Sequence, residues 1–173
     1  ATKGRILILG RKNSIINSFV FAHRIWDEIE FEDGEKLCIF CLWRPYEGAE
    51  NIQLESTGST NDDLLSKSGI GSHISAKWQT SGKGRRDRTW ESIDGCYAGS
   101  WIVAEGAEIN PGHLQLAGSL AVLDALGRDD RLILKWPNDI LIDSRKLCGI
   151  LAEGKSSGNS TKVVLGIGIN FKA

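Results

Sequence analysis

The sequence predicts an α+β fold, a mixed β-sheet flanked by helices. Three observations carry that expectation. Apolar runs of strand length recur at residues 5–9, 36–43, 73–79, 99–104, 132–136, 147–153 and 162–169. Leu114, Leu116, Ala117, Leu120, Ala121, Leu123 and Leu126 repeat at helical spacing. The gaps between runs are hairpin-like in places and hold helical insertions in others, which favours α+β over a regularly alternating α/β chain.

Residues 5–9 read as a short strand closed by Gly10, residues 18–29 as a helix, and residues 36–43 as a buried strand. Arg44-Pro45-Tyr46-Glu47-Gly48 breaks the pattern and sets a boundary near residue 50. Residues 1–50 form a strand-helix-strand segment of unknown role, compatible with belonging to the same fold, and residues 51–173 form the core. Ser59 with Asp62 three places on has the form of a capping box, so a helix begins there. The strand at 73–79 leads into a glycine-basic loop at 81–90. Gly127 stands where the C-terminal cap of the Leu114 to Leu126 helix belongs.

A chain of 173 residues with 21 basic and 22 acidic side chains suits one domain, or one domain with a small appendage, and its net charge of −1 gives no bulk attraction to nucleic acid or membrane. No apolar run approaches the roughly 18 residues of a membrane helix, and the N-terminal apolar stretch is too short for a signal peptide. A cytoplasmic location is expected, with an organelle matrix as the variant. Absence of Met at position 1 is expected of a processed chain or a portion of a longer one. Cys38 and Cys41 make a C-x-x-C pair, but in a strand they point to opposite faces. Buried reduced thiols are therefore expected for them, as for Cys96 and Cys148. His23, His73 and His113 have no metal-ligand spacing.

Chemistry concentrates in two places. The loop at 81–90 carries a net +3 while the rest of the chain carries −4. Gly82 and Gly84 let backbone approach a ligand, and arginine forks match phosphate oxygens, so the loop reads as an anion-binding segment. A solvated basic turn would use the same residues. Neither a P-loop nor a dinucleotide fingerprint is present, because Lys77 stands where the first needs glycine and Phe171 where the second does. Lys135-Trp136-Pro137-Asn138-Asp139 is the second cluster, a strand end stopped by proline, with Lys146 seven residues after Asp139.

Taken in order, Ser59-Thr60-Asn61, Gln79 with Gly82-Lys83-Gly84-Arg85-Arg86-Asp87-Arg88-Thr89-Trp90, Lys135-Trp136-Pro137-Asn138-Asp139, Lys146-Leu147-Cys148-Gly149-Ile150-Leu151 and Gly166-Ile167-Gly168-Ile169-Asn170 resemble the motifs of biotin protein ligases, the biotin–[acetyl-CoA-carboxylase] ligase and holocarboxylase synthetase family. The resemblance covers residues 52–170. It implies the class II aminoacyl-tRNA synthetase-like biotin/lipoate ligase fold. The implied activity joins biotin to AMP using ATP and Mg²⁺, then transfers it to a lysine of a biotin carrier domain.

By this resemblance, Ser59, Thr60, Asn61, Gln79, Gly82, Lys83, Trp90, Lys146 and Gly149 bind biotin. Arg85, Arg86, Arg88, Lys135, Asn138 and Asn170 bind ATP, and Lys146, Arg85 and Asp139 are the catalytic set. No metal site is expected from spacing alone, Mg²⁺ arriving with ATP near Asp139. A biotin carrier domain is the implied partner, a homodimer is compatible with the family, and the first fifty residues lack the helix-turn-helix that DNA binding needs. The chain departs from the family in having Lys83 where arginine is common, Asp87 where glycine is common, and no sequence for the usual C-terminal region after Ala173. A non-catalytic biotin-binding module and a ligase for lipoate or another carboxylate are the competing expectations.

Overall fold

The computed structural model describes residues 49–107, 109–126 and 129–171, with three short strands before them. Those strands, β1 (Ile6–Ile8), β2 (Ile29–Phe31) and β3 (Lys36–Leu37), form a small sheet in which β1 runs parallel to β2 and β2 antiparallel to β3. Ile29 was expected to end a helix and instead opens β2. The apolar-polar-apolar order of Ile29-Glu30-Phe31 suits the two-residue period of a strand. The rest of that expected helix, the continuation of the 36–43 run and the Cys38/Cys41 pair lie outside the described residues.

The main sheet has seven strands: β4 (Asn51–Thr57), β5 (His73–Gln79), β6 (Cys96–Gly106), β7 (Leu132–Lys135), β8 (Asp139–Ile142), β9 (Arg145–Ser157) and β10 (Ser160–Asn170). Their spatial order is β4-β5-β6-β10-β9-β8-β7. β4 pairs with β5 in parallel and every other pairing is antiparallel, so the sheet is mixed, as expected. β9 and β10 extend past the expected runs because Gly158, at φ 58, supplies the left-handed turn that closes their hairpin.

Helix α1 (Thr60–Leu65) starts at Ser59, whose extended backbone and side-chain bond from the Asp62 N–H make the expected cap. Helix α2 (Pro111–Ala125) starts one turn before the leucine repeat. Asn110 accepts a hydrogen bond from the Gly112 N–H at 2.9 Å, and Pro111 fills the first helical position, where its missing donor costs nothing. Gly127, the expected cap at the other end, lies outside the described residues.

The helices cover opposite faces of the sheet. Leu64 of α1 packs with Ile74, Ile102 and Val164. Leu114 and Val122 of α2 pack with Val103, Ile140, Cys148, Ile150, Leu165 and Ile167. Val164 and Leu165 are neighbours in β10, so strand alternation sends them to the two sides. Burial of Cys148 against this second cluster pushes its thiol up to about 12, which makes it the inert core thiol expected.

Candidate active site

On the α1 face, β9 and β10 carry a bare patch. Gly149 lies opposite Gly168, and Gly166 opposite Leu151. A Cβ at Gly168 would fall on the Trp90 indole, 2.5 Å from Cε2 and 2.7 Å from Cη2. One at Gly149 would lie 3.1 Å from Trp90 Cζ3 and from Lys146 Nζ, and one at Gly166 would collide with the Asn61 amide oxygen. Glycine is required here by close approach, since side chains from the loop and from α1 lie directly on the strands. Above this floor is a pocket of about 270 Å³ whose walls include Thr60, Gln79, Arg85, Arg88, Trp90 and Lys146.

One end of the pocket is neutral and polar. Gln79 Oε1 accepts from the Thr60 N–H at 2.8 Å and from its hydroxyl at 3.0 Å. The Ser100 hydroxyl, fully buried, donates to Asn61 Oδ1 at 2.6 Å and sits 2.7 Å from Thr60 Oγ1. Asn61 in turn donates from Nδ2 to Glu153 Oε2 at 2.7 Å. Both halves of the Asn61 amide are thereby engaged, and Asn61 is pinned between β6 and β9.

The other end is cationic. Lys146 Nζ lies 2.8 Å from Asp139 Oδ1 and 5.7 Å from the Trp90 ring centroid. Arg85 donates to Asn138 Oδ1 at 3.1 Å, while Asn138 Nδ2 donates to Asp139 Oδ1 and to the Ile150 carbonyl. Asn138 is thus a buried joint between the loop arginine and the Asp139–Lys146 pair.

The loop itself is a small hairpin. Lys83 bridges Thr89, Gly84 N–H donates to Arg88 O at 2.6 Å, and Trp90 N–H donates to Gly82 O at 2.9 Å. Gly82 is required because a side chain there would meet the Trp90 carbonyl and the Gln79 amide. Arg86 and Asp87 turn the tip at φ 54 and 59, so both occupy left-handed backbone. Lys83 donates to Asp62 Oδ1 at 2.5 Å and lies 3.8 Å from Glu153 Oε1. The Asp62 hydrogen bond, reinforced by Glu153, raises its pKa above the usual lysine value.

Of the residues named from sequence, Ser59, Thr60, Asn61, Gln79, Lys83, Arg85, Arg88, Trp90, Asn138, Lys146 and Gly149 line one pocket. Gly82 and Asp139 lie outside its lining, Gly82 accepting from the Trp90 N–H and Asp139 paired with Lys146. Asn170 stands beside it, donating to the Lys146 carbonyl at 3.2 Å. Arg86 lines an adjoining groove with Asp87, Gln115 and Glu153. Lys135 pairs with Asp139 across β7 and β8, outside the pocket wall. Sequence reasoning missed Ser100, Glu153, Gly166 and Gly168 as site residues. The alternating glycines of the Gly166-Ile167-Gly168 run were the available signal, because glycine at every second strand position strips one face. Among the described residues no group of three His, Cys, Asp or Glu side chains gathers as a metal site.

A separate cluster occupies the opposite face, where His73 stacks on Trp101 with ring centroids 4.4 Å apart. The His73 ring nitrogens lie 3.0 Å from Asn51 Oδ1 and 3.0 Å from the Tyr97 hydroxyl. Burial lowers the His73 pKa and pushes that of Tyr97 up to about 12.

The model of the biotin/lipoate A/B protein ligase family matches residues 49–170, the whole of this sheet and pocket. The chain belongs to that family. It is 36% identical over 127 residues to a biotin–[acetyl-CoA-carboxylase] ligase of Paracoccus denitrificans, a match covering 68% of this chain and 53% of the relative. A ligase of the same name from Mycobacterium tuberculosis is 38% identical over 130 residues, covering 66% of this chain and 46% of the relative. The biotin protein ligase of Aquifex aeolicus, solved in complex with biotin and ATP, superposes with a TM-score of 0.57 at 32% identity, covering 70% of this chain and 52% of that one. The chain therefore has a biotin protein ligase core and spans about half the length of the curated relatives it matches. No helix among the described residues is long and apolar enough to cross a membrane.

Proposed function

We propose that this chain is the core of an ATP-dependent biotin protein ligase, which activates biotin as biotinyl-5'-AMP and passes it to a lysine of a biotin carrier domain. The observation that carries the reading is the floor of Gly149, Gly166 and Gly168 with opposite chemistry at its two ends. A bicyclic ureido head with a carboxylate tail has that same polarity. Thr60 and Gln79 offer donors and acceptors to the ureido edge, and Lys146 faces the carboxylate. The Trp90 indole N–H, buried without an acceptor among the described residues, is a further donor at the pocket.

In the first step a carboxylate oxygen attacks the α-phosphorus of ATP, forming the mixed anhydride as the bond to pyrophosphate breaks. Lys146 sits where negative charge gathers in that step, and Arg85 and Arg88 supply guanidinium groups for phosphate oxygens. No side-chain nucleophile is required, and catalysis rests on positioning and charge. In the second step the carrier lysine amine attacks the acyl carbon, loses a proton and displaces AMP. Closure of the loop shields the anhydride from water between steps.

A magnesium ion carried by ATP needs only one or two protein carboxylates, and Asp139, beside Lys146, is the carboxylate at the right end of the pocket. Asn138, Lys135 and Asn170 belong to the same nucleotide end in this reading, with Arg86 at its margin. Residues 1–50 as a distinct segment, action in the cytoplasm and a homodimeric assembly belong to the same proposal. The test is biotin-dependent exchange of labelled pyrophosphate into ATP, with lipoate in parallel. Exchange with biotin alone is the expected result. Exchange with lipoate instead would reassign the substrate, and no exchange from folded protein would leave a binding module.

A further inference from the structure

The glycine-basic loop is held to the body of the protein at two points of different chemistry. Its tip is tied by Arg85 to the neutral amide of Asn138 at 3.1 Å. Its base is tied by Lys83, whose ammonium lies between two carboxylates from different elements, Asp62 of α1 at 2.5 Å and Glu153 of β9 at 3.8 Å. Neither carboxylate belongs to the residue set assigned above to biotin or ATP.

Glu153 is not a floating surface acid. Its Oε2 accepts the Asn61 amide at 2.7 Å, which leaves Oε1 turned toward Lys83. Asn61 is itself fixed by the Ser100 hydroxyl, 2.7 Å from Thr60 Oγ1, and Thr60 holds Gln79. A continuous polar chain thus runs from the neutral end of the pocket to the base of the loop. Because the loop is internally bonded as a hairpin, capturing Lys83 restrains the whole of it.

We propose that Asp62 and Glu153 act as a two-carboxylate latch that holds Lys83, and with it the loop, shut over the pocket, with Glu153 aimed for this task by Asn61. They are positioning residues acting through Lys83. In a ligase the latch sets how long the acyl-adenylate stays enclosed, a role that rests on the proposed function, whereas the latch itself rests on the two ion pairs of Lys83. A lysine suits a site of two separate carboxylates. A compact ammonium can be shared between them, where a planar fork prefers one.

The loop carries Lys83, Arg85, Arg86 and Arg88, all trypsin sites, so its opening is measured directly by the rate of tryptic cleavage within 83–88 in protein without ligands. Under native conditions that rate follows the open population. Glu153→Gln keeps an acceptor for Asn61 and removes the charge, and Asp62→Asn does the same at the other side. Each variant is expected to cleave faster by roughly two- to fivefold, the scale of a single partly exposed ion pair. Raising salt should accelerate cleavage of the parent, and less so of the variants, since only the ionic tether is screened.

Equal cleavage rates in parent, Glu153→Gln and Asp62→Asn, with thermal stability unchanged, would overturn the latch. So would a parent rate indifferent to salt. A second measurement is release of preformed biotinyl-adenylate, expected to quicken in both variants. Absence of exchange in the parent would count against the ligase reading alone, because the proteolysis result stands without it.

Discussion

Gly168→Ala is the sharpest probe of the glycine floor. Gly168 does not have left-handed backbone, so alanine fits its main chain and the whole effect is steric. The new methyl would stand 2.5 Å from Trp90 Cε2, where ordinary contact begins at 3.4 Å, so the indole must retreat by about 1 Å. Overpacking of this kind costs ~1–3 kcal/mol, and for a chain of this size each kcal/mol lowers Tm by ~2–4 °C. The expected outcome by thermal denaturation is a Tm lower by ~2–12 °C. A methyl projecting into the ligand slot should also raise the biotin KM in pyrophosphate exchange by roughly tenfold or more, the equivalent of ~1.4 kcal/mol. The decisive control is the double variant with Trp90→Ala. With the indole gone, Gly168→Ala should be neutral within ~0.5 kcal/mol, so the pair should be strongly non-additive. An unchanged Tm in the single variant, or additive losses in the double, would refute the claim that this glycine exists to seat Trp90.

Three further outcomes follow from the same geometry. Lys146→Ala should reduce pyrophosphate exchange by about a hundredfold or more while leaving the fold intact, since it removes the cation facing the proposed carboxylate; unchanged exchange would remove Lys146 from the chemistry. His73 has its pKa lowered by burial, so the folded state disfavours its proton: the associated stability is complete above the unfolded value of 6.5 and is lost as pH falls below it toward the folded value. Difference denaturation curves of His73→Gln against parent should therefore converge on acidification below that pH, and a constant gap would contradict the assignment. With its thiol near 12 and fully buried, Cys148 should resist alkylation in native protein at neutral pH and react on unfolding, as peptide mapping after iodoacetamide treatment would reveal.

The elements most legible in the sequence are those whose signals are local. The α1 cap is written in Ser59 and Asp62, α2 in its leucine repeat, and the central strands in their apolar runs. β4 was missed because only Ile52 and Leu54 are apolar in Asn51–Thr57, a strand at the sheet edge with one polar face. β8 was missed because Asp139–Ile142 is four residues long and was absorbed into the motif before it. The pocket walls were legible from the ordered motifs, and eleven of the named residues do line it. Ser100 and Glu153 were not, since a serine in an apolar strand and an acid closing the apolar run 147–153 carry no spacing signal. Their place is set by register, β6 against β10 and β10 against β9, which a linear reading does not contain.

The floor of the pocket and the ceiling of the α2 core are the two sides of the same strand residues. Gly149 alternates with Cys148 and Ile150, and Gly168 with Ile167. A bare floor has no side chains through which its shape can drift by substitution, so a change of ligand preference in this lineage must be written in the walls, at Trp90, Leu151 or Gln79. Conversely, a conservative swap at Ile150 or Ile167, core residues that also border the pocket, tilts the surface on which a ligand would lie. Substitution in the buried strands should therefore alter ligand affinity as well as stability.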